Sequence, residues 1–200
     1  MSTKLNIGAG VSYLPGFTNI DVSPRADLQL DLNSDRLPFD DDSIELIFSY
    51  HCLEHLDNYL FALGEIHRVL QHQGRLLIGV PYVTLTEFNL VNPYHRQNFN
   101  EYSFDFFDPA KLKNSAAEKN EILFQKAFHR FHYLPEFAKE PPDRQEWSRR
   151  HLFNVVRAID FGLVAIKDRN TSASPDDMSR DEMIAEFDNL LASRVAHEPD

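Results

Sequence analysis

A glycine turn near the start of the chain limits the fold more than any other feature. A short apolar segment over residues 4–8 runs into two glycines, Gly8 and Gly10. Glycine carries no Cβ, so the backbone can turn sharply there and a ligand can approach closely. A second strand, predicted over residues 17–21, ends in Asp21. This arrangement is typical of a nucleoside site, in which the turn packs against the nucleoside and the acid accepts hydrogen bonds from the ribose hydroxyls.

The spacing around the turn argues against a dinucleotide as the ligand. The dinucleotide fingerprint needs a glycine or alanine where Tyr13 stands, and a helix N-terminus for the pyrophosphate. The chain from Gly10 to Thr18 is also too short for the usual crossover helix. A nicotinamide-dependent oxidoreductase is therefore disfavoured. A ligand without phosphates fits better, and S-adenosylmethionine is such a ligand.

The composition places the chain among compact domains of modest size. The 200 residues suffice for one domain with a core, and no apolar run approaches the roughly 20 residues of a membrane span. We expect no signal peptide, and the single cysteine, Cys52, excludes an internal disulfide, so we predict a cytoplasmic location. The formal net charge of −11 disfavours nucleic acid as a partner, and we expect no membrane partner.

The order of the predicted elements indicates an open α/β sheet of the Rossmann-like type. One helix is predicted to lead from Asp57 to about Leu70 and to be ended by Gly74, and a second to cover residues 144–161 and to be ended by Gly162. The predicted strands cover residues 4–8, 17–21, 26–32, 44–50, 75–81, 128–134 and 163–167.

The helices that would follow the first two strands have almost no chain to form from, so one face of the sheet needs another cover. Ser179 and Glu182 form a capping box in front of an amphipathic helix that runs to about residue 195. We expect either this helix or a second copy of the chain, in a homodimer, to supply the cover. The predicted organisation is a domain over residues 1–167, followed by a polar linker and C-terminal helix over residues 168–200.

Taken together, these segments resemble the class I S-adenosylmethionine-dependent methyltransferases, in particular a short bacterial branch similar to the methyltransferase type 11 group. The resemblance covers about residues 4–81 and extends weakly to Phe99. It rests on the segments 5–10, 15–21, 49–56 with its Leu-Glu-His core, 65–70 and 74–78. It implies the class I fold, with abbreviated helices and an extra C-terminal helix here, and S-adenosylmethionine as cofactor.

The resemblance also implies a set of cofactor-binding residues. Asp21 would accept from the ribose hydroxyls, and Asp31 would lie near the adenine with Leu32 packed on its ring. Asp31 also fits an ordinary solvated acid on an edge strand. Asn6 stands where the family usually has an acid. The expected cofactor set is Asn6, Gly8, Ala9, Gly10, Asp21, Asp31, Leu32, Ser49 and His51.

A hydroxyl acceptor must lose a proton during methyl transfer, and histidine suits that task near neutral pH. His51 and His95 are the catalytic candidates, with His95 ahead because it lies in an irregular loop with Tyr94 and Arg96. We expect Tyr94 and Arg96 to bind the acceptor. A cation site built from His51, Asp57, His95 and Asp105 finds no support in their spacing, so no metal is expected.

These inferences predict a methyltransferase that moves a methyl group from S-adenosylmethionine to a small-molecule or carbohydrate acceptor, at oxygen. The choice of acceptor rests on the resemblance alone. The alternative is a catalytically idle subunit that binds S-adenosylmethionine and scaffolds a partner protein.

Overall fold

The computed structural model describes residues 3–111, 119–168 and 178–196, and within these ranges seven strands form one sheet. Their order across the sheet is β4-β3-β1-β5-β6-β8-β7. The strands are β1 Lys4–Ile7, β3 Thr18–Asp21, β4 Leu28–Gln29, β5 Ile44–Tyr50, β6 Leu70–Pro81, β7 Phe124–Tyr133 and β8 Val156–Ala165. A separate pair joins β2 (Ser12–Tyr13) to β9 (Val195–Ala196). The helices are α1 Tyr59–Val69, α2 Pro142–His151 and α3 Arg180–Ala192.

The sheet is parallel except at one strand. β1 pairs in parallel with β3 and β5, and β5 pairs in parallel with β6, whereas β8 runs antiparallel to both β6 and β7. This confirms the open α/β sheet expected from the sequence. The chain winds outward from β1 in both directions, so a crevice forms beyond the carboxyl ends of β1 and β5. Gly8, Asp21 and His51 all stand at that edge.

Helix α3 covers the face of the sheet for which the sequence left two alternatives, the C-terminal helix or a second copy. Met183 and Phe187 are buried against Leu46, Phe48 and Leu77, and the rings of Phe187 and Phe48 lie 5.4 Å apart. The predicted capping box is present, since Ser179 Oγ accepts from the N–H of Glu182 and Glu182 Oε2 accepts from the N–H of Ser179. Two ion pairs also tie α3 to the sheet, Arg75 with Glu186 and Arg130 with Asp188.

The helix predicted over residues 144–161 is wrong in its second half. α2 ends at His151, Leu152 is extended, and the chain enters β8 at Val156. β8 lies between β6 and β7 and is buried on both faces, and a run of apolar residues buried on both faces fits a helical and a strand period equally well. Gly162 lies inside β8, where a Cβ would stand 2.2 Å from the Phe128 ring.

The first helix ends at Val69, close to the predicted end, but Gly74 does not terminate it. Leu70 takes an extended conformation with φ −63° and ψ 135°, so β6 begins there and Gly74 lies within the strand. The helix begins at Tyr59 after Asn58 rather than after Asp57, and Leu60 in its first turn is exposed. The predicted linker falls largely on residues 169–177, which lie outside the described residues. None of the helices in the described ranges combines the length and the apolar character of a membrane-crossing segment.

Candidate cofactor and acceptor site

Two adjoining cavities open at the carboxyl edge of the sheet, and His51 and His55 line both of them. The smaller cavity, of about 230 Å³, is lined by Gly8, Asp21, Val22, Leu30, Asp31, Leu32, Asn33, Cys52 and Leu56 besides the two histidines. The larger cavity, of about 490 Å³, is lined by Tyr50, Glu54, Pro81, Leu85, Phe88, Asn92, His95, Arg157 and Ala158 besides them. The site is therefore a double pocket with a shared histidine wall.

The glycine turn forms one side of the smaller cavity. Gly8 has a φ of +67°, and a Cβ built there would lie 2.3 Å from Cys52 Cβ, so only glycine lets the turn after β1 pack against the chain that follows β5. Asp21 holds this turn from the neighbouring strand. Its Oδ2 accepts from the N–H of Gly10 at 2.9 Å, and its Oδ1 accepts from the N–H of Ser23 at 2.9 Å. The carboxylate thereby faces the cavity in a fixed orientation.

The far end of the smaller cavity has an apolar floor with a polar rim. Leu30 and Leu32 are buried beneath it. Asp31 stands at the rim, where its Oδ1 accepts from the backbone and side-chain nitrogens of Asn33 at 2.9 and 3.0 Å. Its Oδ2 has no hydrogen-bond partner among the residues that the structure describes. A flat aromatic base with an exocyclic amino group matches this combination.

Four of the nine residues expected to bind the cofactor do not line either cavity in the described chain: Asn6, Ala9, Gly10 and Ser49. Asn6 is buried beneath the glycine turn and donates to the carbonyl of Ser12 and to Asn19 Oδ1. Asn19 Oδ1 in turn accepts from the N–H of Leu14. Asn6 thus supports the turn from below through neutral hydrogen bonds. An acid at this position would place its carboxylate against the Ser12 carbonyl and Asn19 Oδ1, which are themselves acceptors.

His51 is held at the end of the central strand by both its backbone and its ring. Its φ is +55°, an uncommon left-handed conformation for a residue other than glycine, and its N–H donates to the carbonyl of Gly79. Its Nδ1 lies 3.0 Å from Oε1 of Glu54, whose carboxylate is 1% exposed. A carboxylate at Nδ1 fixes the tautomer in which Nε2 is the free acceptor.

His95 is oriented by an amide rather than by a carboxylate. Its Nδ1 lies 2.9 Å from Oδ1 of Asn89, while Asn89 Nδ2 donates to the carbonyl of Val83 and to Asn98 Oδ1. Because the amide nitrogen faces a carbonyl, Oδ1 must accept from His95, and Nε2 of His95 is unprotonated. Burial lowers the pKa of His95 below its ordinary value; the Glu54 carboxylate opposes this shift, and the neighbouring His55 and His51 add to it.

The two residues predicted to bind the acceptor lie outside the larger cavity. Tyr94 is 73% exposed, and Arg96 forms an ion pair with Asp57 at 2.9 Å. Tyr50 and Arg157 line the cavity instead. Tyr50 directly precedes His51, so its place at the strand end could have been found from the sequence. Arg157 could not, because its segment was assigned to a helix.

A positive charge from the C-terminal segment also reaches this region. Arg194 follows α3 and lies over the ring of Tyr50, 5.1 Å from its centroid. Its Nε is buried and has no hydrogen-bond partner in the part of the chain that the structure describes. Partial burial lowers the pKa of this guanidinium below its ordinary value.

Comparison with known proteins agrees with this architecture. A family model described as a methyltransferase domain matches residues 12–78, the segment that carries Asp21, Asp31 and His51. An uncharacterized protein of Methanocaldococcus jannaschii, MJ0638, is 29% identical over 106 residues, which are 53% of this chain and 42% of that protein. The chain therefore spans less than half the length of this curated relative.

Solved structures show the same fold at low sequence identity. A SAM-dependent methyltransferase from Archaeoglobus fulgidus matches with a TM-score of 0.58 and 13% identity, over 80% of this chain and 85% of that one. A protein from a Haloferax volcanii complex with the Trm112 methyltransferase activator matches with a TM-score of 0.53 and 18% identity, over 82% of each chain. The fold is that of the class I S-adenosylmethionine-dependent methyltransferases, as the sequence predicted. The bacterial branch finds no support here, since the curated relative is archaeal.

Proposed function

We propose that this chain is an S-adenosylmethionine-dependent methyltransferase that methylates an oxygen atom of a small-molecule or carbohydrate acceptor. The observation that carries the proposal is the double pocket, in which the cavity beside the glycine turn and Asp21 shares His51 and His55 with a larger cavity. Two substrates that must meet at one reacting atom require such an arrangement. The matched methyltransferase domain and the class I fold support S-adenosylmethionine as the occupant of the smaller cavity.

The smaller cavity fits the cofactor by its chemistry. Asp21 is fixed by two backbone N–H groups and still offers lone pairs to the ribose hydroxyls. Leu30 and Leu32 provide the apolar floor that an adenine ring needs, and Asp31 Oδ2 provides an acceptor for the adenine amino group. Arg194, whose buried Nε has no hydrogen-bond partner among the described residues, is our candidate partner for the carboxylate of the methionine moiety.

Methyl transfer asks the protein for alignment and for exclusion of water. Bound S-adenosylmethionine would supply a methyl group on a sulfonium, which is already a good leaving group. The walls of the two cavities therefore act by holding the acceptor oxygen in line with the methyl group and its sulfur. The oxygen–carbon bond forms as the carbon–sulfur bond breaks, and the electron pair of the broken bond goes to sulfur.

His51 is the better placed of the two catalytic candidates for taking the acceptor proton. The sequence put His95 first, but His51 lines both cavities, whereas His95 lines only the larger one. With Nδ1 held by Glu54, Nε2 of His51 accepts the hydroxyl proton, and the buried carboxylate stabilises the imidazolium that results.

The lining of the larger cavity supports the proposed class of acceptor. Leu85 and Phe88 supply apolar wall, while Tyr50 and Arg157 supply a hydroxyl and a positive charge. Such a lining suits a molecule that combines an apolar face with hydroxyl groups, as sugars do. Tyr94 and Arg96 lie on the loop that carries His95, and we keep them as contacts for the part of the acceptor that extends beyond the cavity.

The direct experiment is transfer of a labelled methyl group from S-adenosylmethionine to a panel of sugars, polyols and phenols. We expect product with acceptors that carry a free hydroxyl and loss of product in His51→Asn. The idle-scaffold alternative is kept because a protein of the same fold was solved with a methyltransferase activator. This alternative predicts cofactor binding without transfer to any acceptor. Cofactor binding in the absence of turnover, with or without a partner protein, would favour that alternative.

A further inference from the structure

Three potential metal ligands meet on the wall of the larger cavity. One carboxylate oxygen of Glu54 and one ring nitrogen each of His55 and His95 lie within 4.8 Å of one another. All three residues line the larger cavity. We propose that Glu54, His55 and His95 bind a divalent transition-metal ion that faces the acceptor.

Both imidazoles are already oriented as metal ligands usually are. The Nδ1–H of His55 donates to the carbonyl of Tyr94 at 3.2 Å, and the Nδ1–H of His95 donates to Oδ1 of Asn89 at 2.9 Å. Histidines that bind metals commonly donate their second nitrogen to such an oxygen, because this contact fixes the tautomer and the ring orientation. Nε2 of each ring is left with its lone pair, and the ring centroids lie only 4.7 Å apart.

The carboxylate supplies the negative charge that a cation needs. Glu54 is 1% exposed, and its Oε2 has no hydrogen-bond partner among the described residues, while Oε1 holds His51. A buried carboxylate oxygen without a donor is costly, and a bound cation removes that cost. Glu54 therefore divides its two oxygens between the catalytic histidine and the ion.

The ligand types select the metal. Two imidazoles and one carboxylate suit ions such as Zn²⁺, Mn²⁺, Fe²⁺ or Co²⁺, whereas Mg²⁺ and Ca²⁺ prefer oxygen ligands alone. Three protein ligands leave at least one coordination position open, as catalytic sites require. Ligand atoms held about 2.1 Å from one ion lie at most about 4.2 Å apart, so any separation near the 4.8 Å limit shortens slightly on binding.

The cluster differs from the cation site considered in the sequence analysis. That site consisted of His51, Asp57, His95 and Asp105. Asp57 is engaged by Arg96 at 2.9 Å, and Asp105 by Lys126 at 2.6 Å, so both carboxylates already have cationic partners. Of that set only His95 belongs to the cluster. The sequence missed Glu54 and His55 as ligands because their proximity to His95 depends on how the loop after β6 folds back.

The ion gives the larger cavity a specificity that its side chains alone lack. A divalent cation at this wall binds an acceptor oxygen and lowers the pKa of a hydroxyl that contacts it, beside Nε2 of His51. With two open positions it favours acceptors that present two neighbouring oxygens. This step rests on the proposed function, whereas the binding of the ion does not.

The test is a titration of metal-free protein with Co²⁺, without cofactor or acceptor, followed by visible absorption and by calorimetry. We expect one equivalent to bind, and His55→Gln and His95→Gln each to weaken binding by at least about 10-fold. His151→Gln is the matched control, because this exposed histidine also holds a carbonyl, that of Trp147, with its Nδ1 but stands apart from the cluster. It should bind Co²⁺ as the wild type does.

Two measurements keep the result clear. Thermal unfolding followed by circular dichroism shows whether each variant folds. If His95→Gln does not fold, His55→Gln provides the test, because His55 is exposed and its replacement leaves the core intact. The proposal is overturned if the wild type takes up no Co²⁺, or if both ligand variants bind it as tightly as His151→Gln. Separate titration with S-adenosylhomocysteine distinguishes the two proposals, since its failure alone removes the methyltransferase and leaves the metal site standing.

Discussion

The imidazole of His51 lies 3.0 Å from the carboxylate of Glu54, and the backbone of His51 is left-handed where the central strand ends. The two features act together. The left-handed residue directs the chain away from the sheet, and the 3₁₀ turn Leu53–His55 then returns Glu54 to the ring. A basic nitrogen is thereby fixed on the wall that separates the two cavities.

Replacing His51 by asparagine tests its role as base. Asparagine tolerates the left-handed backbone but accepts protons poorly. We expect kcat for hydroxyl acceptors to fall by about 10² to 10⁴, the usual contribution of general base catalysis, while affinity for S-adenosylhomocysteine changes far less. Steady-state assay with labelled S-adenosylmethionine measures the first quantity, and calorimetry measures the second. Unchanged kcat in His51→Asn, with His151→Gln as control, would remove His51 from this role.

Phe187→Ala tests whether α3 belongs to the core. Phe187 is fully buried against Phe48, so its truncation should lower the free energy of unfolding by about 3–5 kcal/mol. Leu60→Ala removes an exposed apolar side chain from α1 and should cost less than about 0.5 kcal/mol. Urea denaturation of both variants gives the comparison.

Truncation after Lys167 asks the same question of the whole C-terminal segment. It uncovers Leu46, Phe48 and Leu77, so we expect a less stable chain that self-associates. Sedimentation and urea denaturation measure both properties. A truncated chain that stays monomeric with unchanged stability contradicts the account in which α3 completes the domain.

Glu65 predicts how stability depends on acid. Hydrogen bonds from Arg68 and from the N–H of Leu37 lower the pKa of this nearly buried carboxyl below its ordinary value. The charged form is favoured in the folded state, so its contribution is complete above the ordinary pKa and is lost as the pH falls through the lowered one. Glu65→Gln should therefore destabilise the protein by about 1–3 kcal/mol at neutral pH.

Repeating the measurement in acid shows whether the stability difference between wild type and Glu65→Gln shrinks or grows as the pH falls. Urea denaturation at neutral pH and again at a pH of about 3 should show the difference between wild type and Glu65→Gln shrinking on acidification. Glu45→Gln is the control, because the Lys4–Glu45 pair is exposed and such pairs contribute little. A gap for Glu65→Gln that stays constant or widens in acid would contradict this reading.

The half of the fold that carries the cofactor cavity could be predicted from the sequence, because its signals are local. The glycine turn, the acid after the second strand and the apolar run of β5 each act over a few residues, and the structure has the expected elements in the expected order. The capping box of α3 is equally local. Only the end of β8 falls in the strand predicted over residues 163–167; its first part was missed because a strand buried on both faces has no polar period to distinguish it from a buried helix.

The larger cavity could be predicted only in part, because its residues converge from distant segments. His51 follows a strand and was identified by its position, but Arg157 arrives through the misassigned β8. The contact between His55 and His95 depends on the irregular loop after β6, whose path follows from hydrogen bonds such as that from the N–H of Arg96 to the carbonyl of Glu54. Such contacts leave no periodic trace in the sequence.

The central claim is that the smaller cavity binds the cofactor through Asp21, and calorimetric titration with S-adenosylhomocysteine tests it most directly. We predict micromolar binding by the wild type and by Asp181→Ala, which removes an exposed acid of α3. Asp21→Ala should weaken binding by about 10- to 100-fold, as loss of hydrogen bonds to a charged group implies. Absence of binding in the wild type, or equal binding by Asp21→Ala, would contradict the account.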